Sequence, residues 1–152
     1  AMILVEFSGA FRCSELVAFE LEHLALDQFG VSAFVAKSKT DQKMPGRFVD
    51  IPFVSNPQYC LVRALRDWIR CAKIEKRPLF LQGHKGGNVT PKRLGNRSVA
   101  LMLNRRCKLF GFSDDIAGHS LRADQINSST ENGTPETWIM RMTRKTNINK
   151  LI

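Results

Sequence analysis

The sequence predicts a mainly helical α+β domain carrying one small antiparallel β-sheet. Three observations lead there. Apolar residues recur at helical spacing, behind Pro and Gly punctuation, through most of the second half of the chain. Between residues 24 and 36, and again from 48 to 51, the pattern shortens to that of strands. The 152 residues, 43% of them hydrophobic, fit one compact core.

Taken in order, Ile3, Leu4 and Phe7 predict the end of a helix that stops at Gly9, and a second helix starts near Ser14 with Leu16, Val17, Phe19 and Leu24 on it. Leu24-Ala25-Leu26-Asp27, a Gln28-Phe29-Gly30 turn and Val31 to Ala36 read as short strands. Pro45-Gly46 marks a turn, and Phe48-Val49-Asp50-Ile51 alternates as a third strand. Asn56-Pro57 is a helix start, with Asn as cap and Pro at the first helical position. Leu61, Ala64, Leu65, Trp68, Ile69 and Ala72 then share a stripe, with Arg63, Arg66 and Arg70 off it. Pro78 to Leu81 predicts a short strand before the Gly83 to Gly87 loop, and Thr90-Pro91 predicts another short helix. Val99 and Leu103 belong to a longer helix that Gly111 closes. His119 to about Asn132 forms the next helix, ended by Gly133, and Thr134-Pro135-Glu136 opens the last, with Trp138 and Ile139 on it.

The charge is uneven. The chain carries +9 overall, yet from Lys76 to Ser113 there are nine bases (Lys76, Arg77, Lys85, Lys92, Arg93, Arg97, Arg105, Arg106, Lys108) and no acid. A one-signed stretch of that length favours a polyanion as partner. Cys13, Cys60, Cys71 and Cys107 form no CxxC pair and have no His at zinc-finger spacing, so a structural metal site is not expected. With neither a signal peptide nor an apolar run of spanning length, the expectation is a soluble, cytoplasmic protein that makes no membrane contact. The Gly86-Gly87 loop lacks the GK[ST] ending of a phosphate cradle, and His23 and His84 stand without chemical company.

His119-Ser120-Leu121-Arg122, within Ala117 to Ala123, sets an imidazole and a guanidinium three residues apart, so on a helix both project from one face. A planar fork of fixed charge beside a proton-sharing ring suits a phosphodiester.

With Phe7-Ser8-Gly9-Ala10-Phe11-Arg12-Cys13-Ser14-Glu15-Leu16 and Lys37-Ser38-Lys39-Thr40, this motif resembles the catalytic domain of tyrosine recombinases, the phage integrase family, and the resemblance runs through nearly all of the chain. It implies a DNA breaking–rejoining fold acting on double-stranded DNA in integration and recombination, through a 3′-phosphotyrosine. Arg12 and Arg122 would grip the non-bridging oxygens of the scissile phosphate, where charge builds in the pentacoordinate transition state; the guanidinium forks replace a metal, so the resemblance implies no cofactor. Glu15 would be a buried partner that orients Arg12. Lys39, at the tip between the second and third strands with Lys37 and Lys43 beside it, would be the general acid that protonates the departing 5′ oxygen. His119 would hydrogen-bond the phosphate and help move protons.

The pattern then departs from the family. Where relatives carry a Gly-His or Gly-Trp pair, Arg144 and Lys145 stand; the Lys145 ammonium can donate to a phosphate oxygen but lacks imidazole's proton exchange near neutrality. The nucleophilic tyrosine is expected just past Ile152, and Tyr59, the one tyrosine in the 152 residues, does not occupy its place. After Arg122 the run Asp124 to Glu131 is polar, with Ile126 alone suited to a core. The expectation is therefore a single integrase-like domain over 1–152, without the last helix and without an N-terminal core-binding domain. As given it would be inactive and monomeric, and nucleoid-associated through its DNA. The alternative is a non-catalytic DNA-binding remnant of a mobile-element integrase, which needs only the basic surface.

Overall fold

A computed structural model describes residues 1–36, 46–76, 78–84, 86–112 and 120–143. Helix α1 (Met2–Ser8) buries Val5 and Glu6 and ends at Gly9. A Cβ at Gly9 would lie 2.0 Å from the Phe11 ring, so only glycine lets that ring fold back against the helix end. Ala10 then takes a left-handed φ of 45°, reversing the chain into α2 (Cys13–Ala18). Phe11 and Phe19 flank α2 and meet edge to face, with centroids 5.0 Å apart.

The predicted second helix is shorter than its apolar pattern suggests. Phe19 is already extended, and its carbonyl accepts from the Leu79 N–H at 3.0 Å, so a tertiary bond replaces the next helical turn. A 3-10 turn (Leu21–His23) leads into β1 (Leu24–Leu26), β2 (Gly30–Val35) and β3 (Arg47–Pro52), which pair antiparallel in that order. Asp27 Oδ1 accepts from the N–H groups of Phe29 and Gly30, at 2.7 and 2.9 Å, and so closes the first hairpin. Register pairs Val31 with Ile51 and Ala33 with Val49, which puts all four, with Val35, on the core face. The second hairpin is paired as far as Val35 and Arg47.

Asn56 caps as expected, its side chain accepting from the Gln58 N–H at 3.0 Å. What it starts is a 3-10 turn (Pro57–Tyr59); Cys60 is extended, and α3 (Leu61–Cys71) begins after it. Leu61, Val62 and Leu65 face the core, while Arg63, Arg66 and Arg70 are exposed.

Thr90-Pro91 opens no helix. It lies in β5 (Val89–Arg93), paired antiparallel with β4 (Leu81–Gly83). The Thr90 hydroxyl donates across the hairpin to the Gln82 carbonyl at 3.2 Å, and a proline without an N–H is tolerated in so narrow a ribbon. Helix α4 (Asn96–Leu109) buries Val99 and Leu103, and Gly111 follows with φ +78°. Helices α5 (Ser120–Glu131) and α6 (Glu136–Thr143) are separated by Gly133 at φ +70°. The main apolar cluster draws on α1, α2, the sheet, α3, Leu79, Phe80, Leu94 and Val99.

Candidate nucleic-acid site

Arg12 is the N-cap of α2. Its backbone N–H donates to Glu15 Oε2 at 2.8 Å, and its Nη1 donates to Glu15 Oε1 at 2.8 Å. The glutamate is buried, whereas the Arg12 side chain keeps 35% of its surface exposed. One carboxylate thus satisfies a helix-end N–H and fixes the guanidinium, and an acid in the first turn also suits the helix dipole. This is the orienting role expected of Glu15.

Directly behind lies a second buried carboxyl. Glu6 is 1% exposed; its Oε1 accepts from the Cys13 Sγ at 3.2 Å, and its Oε2 has no hydrogen-bond partner among the described residues. Burial raises the Glu6 pKa above the ordinary carboxyl range. Burial, followed by the bond to Glu6, pushes the Cys13 thiol up to about 12, so this cysteine is a packed thiol and not a nucleophile.

Arg122 stands in the first turn of α5 and is buried, 6% exposed. Its Nη1 donates to the Ala10 carbonyl and its Nη2 to the Thr143 carbonyl. One guanidinium therefore joins the α1–α2 reversal, α5 and the end of α6. Because Ala10 lies two residues before Arg12, the two predicted arginines share one corner of the fold, and α1 and α5 pack together to form it. Thr143 is fully buried; its hydroxyl donates to the Ile139 carbonyl at 2.7 Å, and its own carbonyl accepts from Arg122. Asp124, two residues after Arg122, is exposed.

Lys39, His119 and Lys145 lie outside the described residues. The connection that carries Lys39 springs from the Val35–Arg47 pair, and His119 directly precedes α5. Tyr59 is exposed on the 3-10 turn after the sheet. Exposed bases continue over α3 (Arg63, Arg66, Arg70) and α4 (Arg97, Arg105, Arg106). Two of the wider set also make contacts within the fold. Arg66 donates to the Asp27 carbonyl at 3.1 Å and lies over the Phe53 ring, and Arg93 turns onto α2. Among the described residues no group of three or more His, Cys, Asp or Glu could hold a metal ion, and no helix is long and apolar enough to cross a membrane.

No family model matches the chain. An integrase/recombinase, the xerD homolog of Selenomonas ruminantium, is 37% identical over 145 residues, covering 95% of this chain and 42% of that protein. This chain belongs to the tyrosine recombinase family. It spans about two fifths of the curated relative's length. Among solved structures, the XerH site-specific recombinase bound to palindromic difH substrate, in a post-cleavage complex, matches with TM-score 0.76 at 12% identity, over 99% of this chain and 39% of that one. The Tn1549 transposon integrase in complex with circular intermediate DNA matches with TM-score 0.58 at 14% identity, over 98% and 50% of the respective chains. The mainly helical fold with a small antiparallel sheet is thus that of tyrosine recombinases, as the sequence predicts. Both of these solved neighbours are complexes with DNA.

Three structural residues escaped sequence reasoning. Ala10 and Thr143 act through their carbonyls, which no side-chain pattern marks, and Arg93 was hidden within a run of bases.

Proposed function

We propose that residues 1–152 form the catalytic part of a site-specific DNA recombinase or integrase and bind the phosphate backbone of double-stranded DNA. The observation that carries this reading is the Arg122 guanidinium seated on the Ala10 carbonyl, beside an Arg12 braced by Glu15. Two preorganised arginines at one corner suit the non-bridging oxygens of a single phosphate, because neither needs to be reoriented as charge develops. In this reading His119 completes the phosphate contacts, Lys39 gives its proton to the departing 5′ oxygen, and Lys145 adds a donor where relatives use a ring. The arginines supply the charge, so the reading requires no metal or cofactor.

Cleavage through a 3′-phosphotyrosine needs a tyrosine at this corner, and Tyr59 sits exposed on a turn after the sheet. The 152 residues then bind and polarise a phosphodiester without forming the covalent intermediate. They act as a monomer associated with the nucleoid. A non-catalytic DNA-binding role inherited from a mobile-element integrase is the second reading. It is favoured by α5, where Gln125 is buried with its Oε1 unpartnered among the described residues.

The first test is binding to duplex DNA as a function of salt. The log–log slope is expected on the order of −4 to −6, about −0.9 for each phosphate neutralised. An affinity indifferent to salt overturns both readings. Nicked suicide duplexes separate them: a form of the chain that includes a tyrosine after Ile152 forms a covalent adduct in the first reading and none in the second.

A further inference from the structure

Arg93 lies within the stretch of bases that favours a polyanionic partner, but its guanidinium is turned inward. Nη1 donates to the Val17 carbonyl at 2.8 Å and reaches the Phe19 carbonyl at 3.5 Å, while Nη2 pairs with Glu20 Oε1 at 2.9 Å. Val17 and Phe19 stand at the C-terminal end of α2, where the last carbonyls of a helix have no partner within it. A cation there also complements the negative end of the helix dipole. The hairpin that carries Arg93 is itself braced: Gln82 Nε2 donates to the Arg93 carbonyl at 3.0 Å, and the Leu94 N–H donates to the Phe80 carbonyl at 2.9 Å.

Helix α2 has six residues, too few to hold a direction by its own hydrogen bonds. The Arg12–Glu15 pair caps its first end from within the helix, whereas Arg93 ties its last end to another element, the β4–β5 hairpin. The helix is about 9 Å long at 1.5 Å per residue, so a tilt of about 10° about its last turn shifts Arg12 by roughly 1.5 Å. A displacement of that size is enough to spoil a guanidinium fork aimed at a phosphate.

We propose that Arg93 is a positioning residue for phosphate binding. By clamping the C-terminal end of α2 to the β4–β5 hairpin, it fixes the direction in which Arg12 presents its guanidinium from the other end. The inference rests on the reading that Arg12 binds phosphate.

The experiment is a double-mutant cycle on the 152-residue chain, read by fluorescence anisotropy with a 30-base-pair duplex over a salt series. Arg12→Ala is expected to weaken binding roughly ten-fold, the effect of one charge-assisted hydrogen-bond contact. It should also reduce the salt slope by about 0.9. Arg93→Met is expected to do much the same, and the double variant to be no weaker than either single one. Arg93→Lys keeps the charge but cannot span two carbonyls and a carboxylate, so it should resemble Arg93→Met. If Arg93→Lys binds like the parent chain, or if the Arg12 and Arg93 losses add, the positioning role is overturned while phosphate binding by Arg12 stands. If Arg12→Ala is silent in both affinity and slope, the phosphate reading fails and the inference goes with it. Should Arg93→Met unfold the chain, Glu20→Gln decides. It removes the ion pair and one negative charge, so weaker binding supports the clamp and stronger binding, the result of bulk charge alone, overturns it.

Discussion

Arg122 reaches back 112 positions in the sequence to donate to the backbone carbonyl of Ala10, two residues before Arg12. The contact joins the last part of the fold to the first and gathers the two arginines that the sequence sets far apart. Its other branch, to Thr143, ties α6 into the same corner.

Arg122→Met should therefore destabilise the fold, whatever it does to DNA binding. Two buried carbonyls lose their donor, at about 1–3 kcal/mol each before any relaxation, so a net loss of about 3 kcal/mol is expected. Arg122→Lys should recover less than half of it, since an ammonium cannot span both carbonyls. Urea unfolding midpoints measure both effects, and a Met variant as stable as the parent would contradict the clamp.

Glu15→Gln tests the bracing of Arg12. The amide keeps the shape but loses the charge that holds the guanidinium and the second oxygen that accepts the Arg12 N–H. Duplex affinity should fall several-fold, while stability drops by only about 1 kcal/mol, the usual scale for losing a cap. Unchanged affinity at low salt would show that Arg12 needs no brace.

Ala10 separates backbone strain from packing. Its φ of 45° disfavours any side chain, yet its methyl group is fully buried. Ala10→Gly relieves about 1–2 kcal/mol of left-handed strain. It forfeits about 0.8 kcal/mol of methyl burial and about 0.5–1 kcal/mol to the freer unfolded chain. Stability should stay within about 1 kcal/mol of the parent by that balance. Ala10→Val adds β-branching at a conformation it cannot accept and fills space that is not there, so it should cost more than about 3 kcal/mol. Equal melting temperatures for the Val variant and the parent would rule out this backbone conformation.

Glu6 gives a pH signature. Its carboxyl pKa is raised by burial, so the folded chain holds the proton to higher pH than the unfolded chain does. The stability it contributes is full below the ordinary glutamate pKa and drains away as pH rises through the folded-state value. Glu6→Gln has no such proton to lose. Relative to the parent, the variant should gain stability as pH rises above the ordinary glutamate range, and the difference should level off once pH passes the folded-state value, as followed by thermal melts from acid to neutral pH. Parallel curves would mean that Glu6 is not buried as described.

Much of the fold was legible because its signals are local. Alternation marked β2 and β3, and Gly111 and Gly133 marked the ends of α4 and α5 in the left-handed conformation that such positions favour. The failures are non-local. Thr90-Pro91 has the form of a helix start, but pairing of Leu81 with Arg93 claims the segment for a hairpin. The apolar pattern after Ser14 runs through Leu24, but the Leu79 N–H and the Arg93 guanidinium take the carbonyls at the end of α2. The candidate site divides in the same way. Arg12, Glu15 and Arg122 announced themselves as side chains within short motifs. Arg93 could not be told from the bases around it, since its partners lie more than 70 residues away.

Among the described residues, the main apolar cluster contains none from α5 or α6; these helices bury Ile126 and Ile139, and Arg122 ties them to Ala10. So lightly greased a pair should peel away first under mild denaturation, with amide exchange rising there while the strands stay protected. The arginine corner would then open with them. Any anion gripped by both arginines would act as a rivet, slowing that peeling in proportion to how tightly it is held.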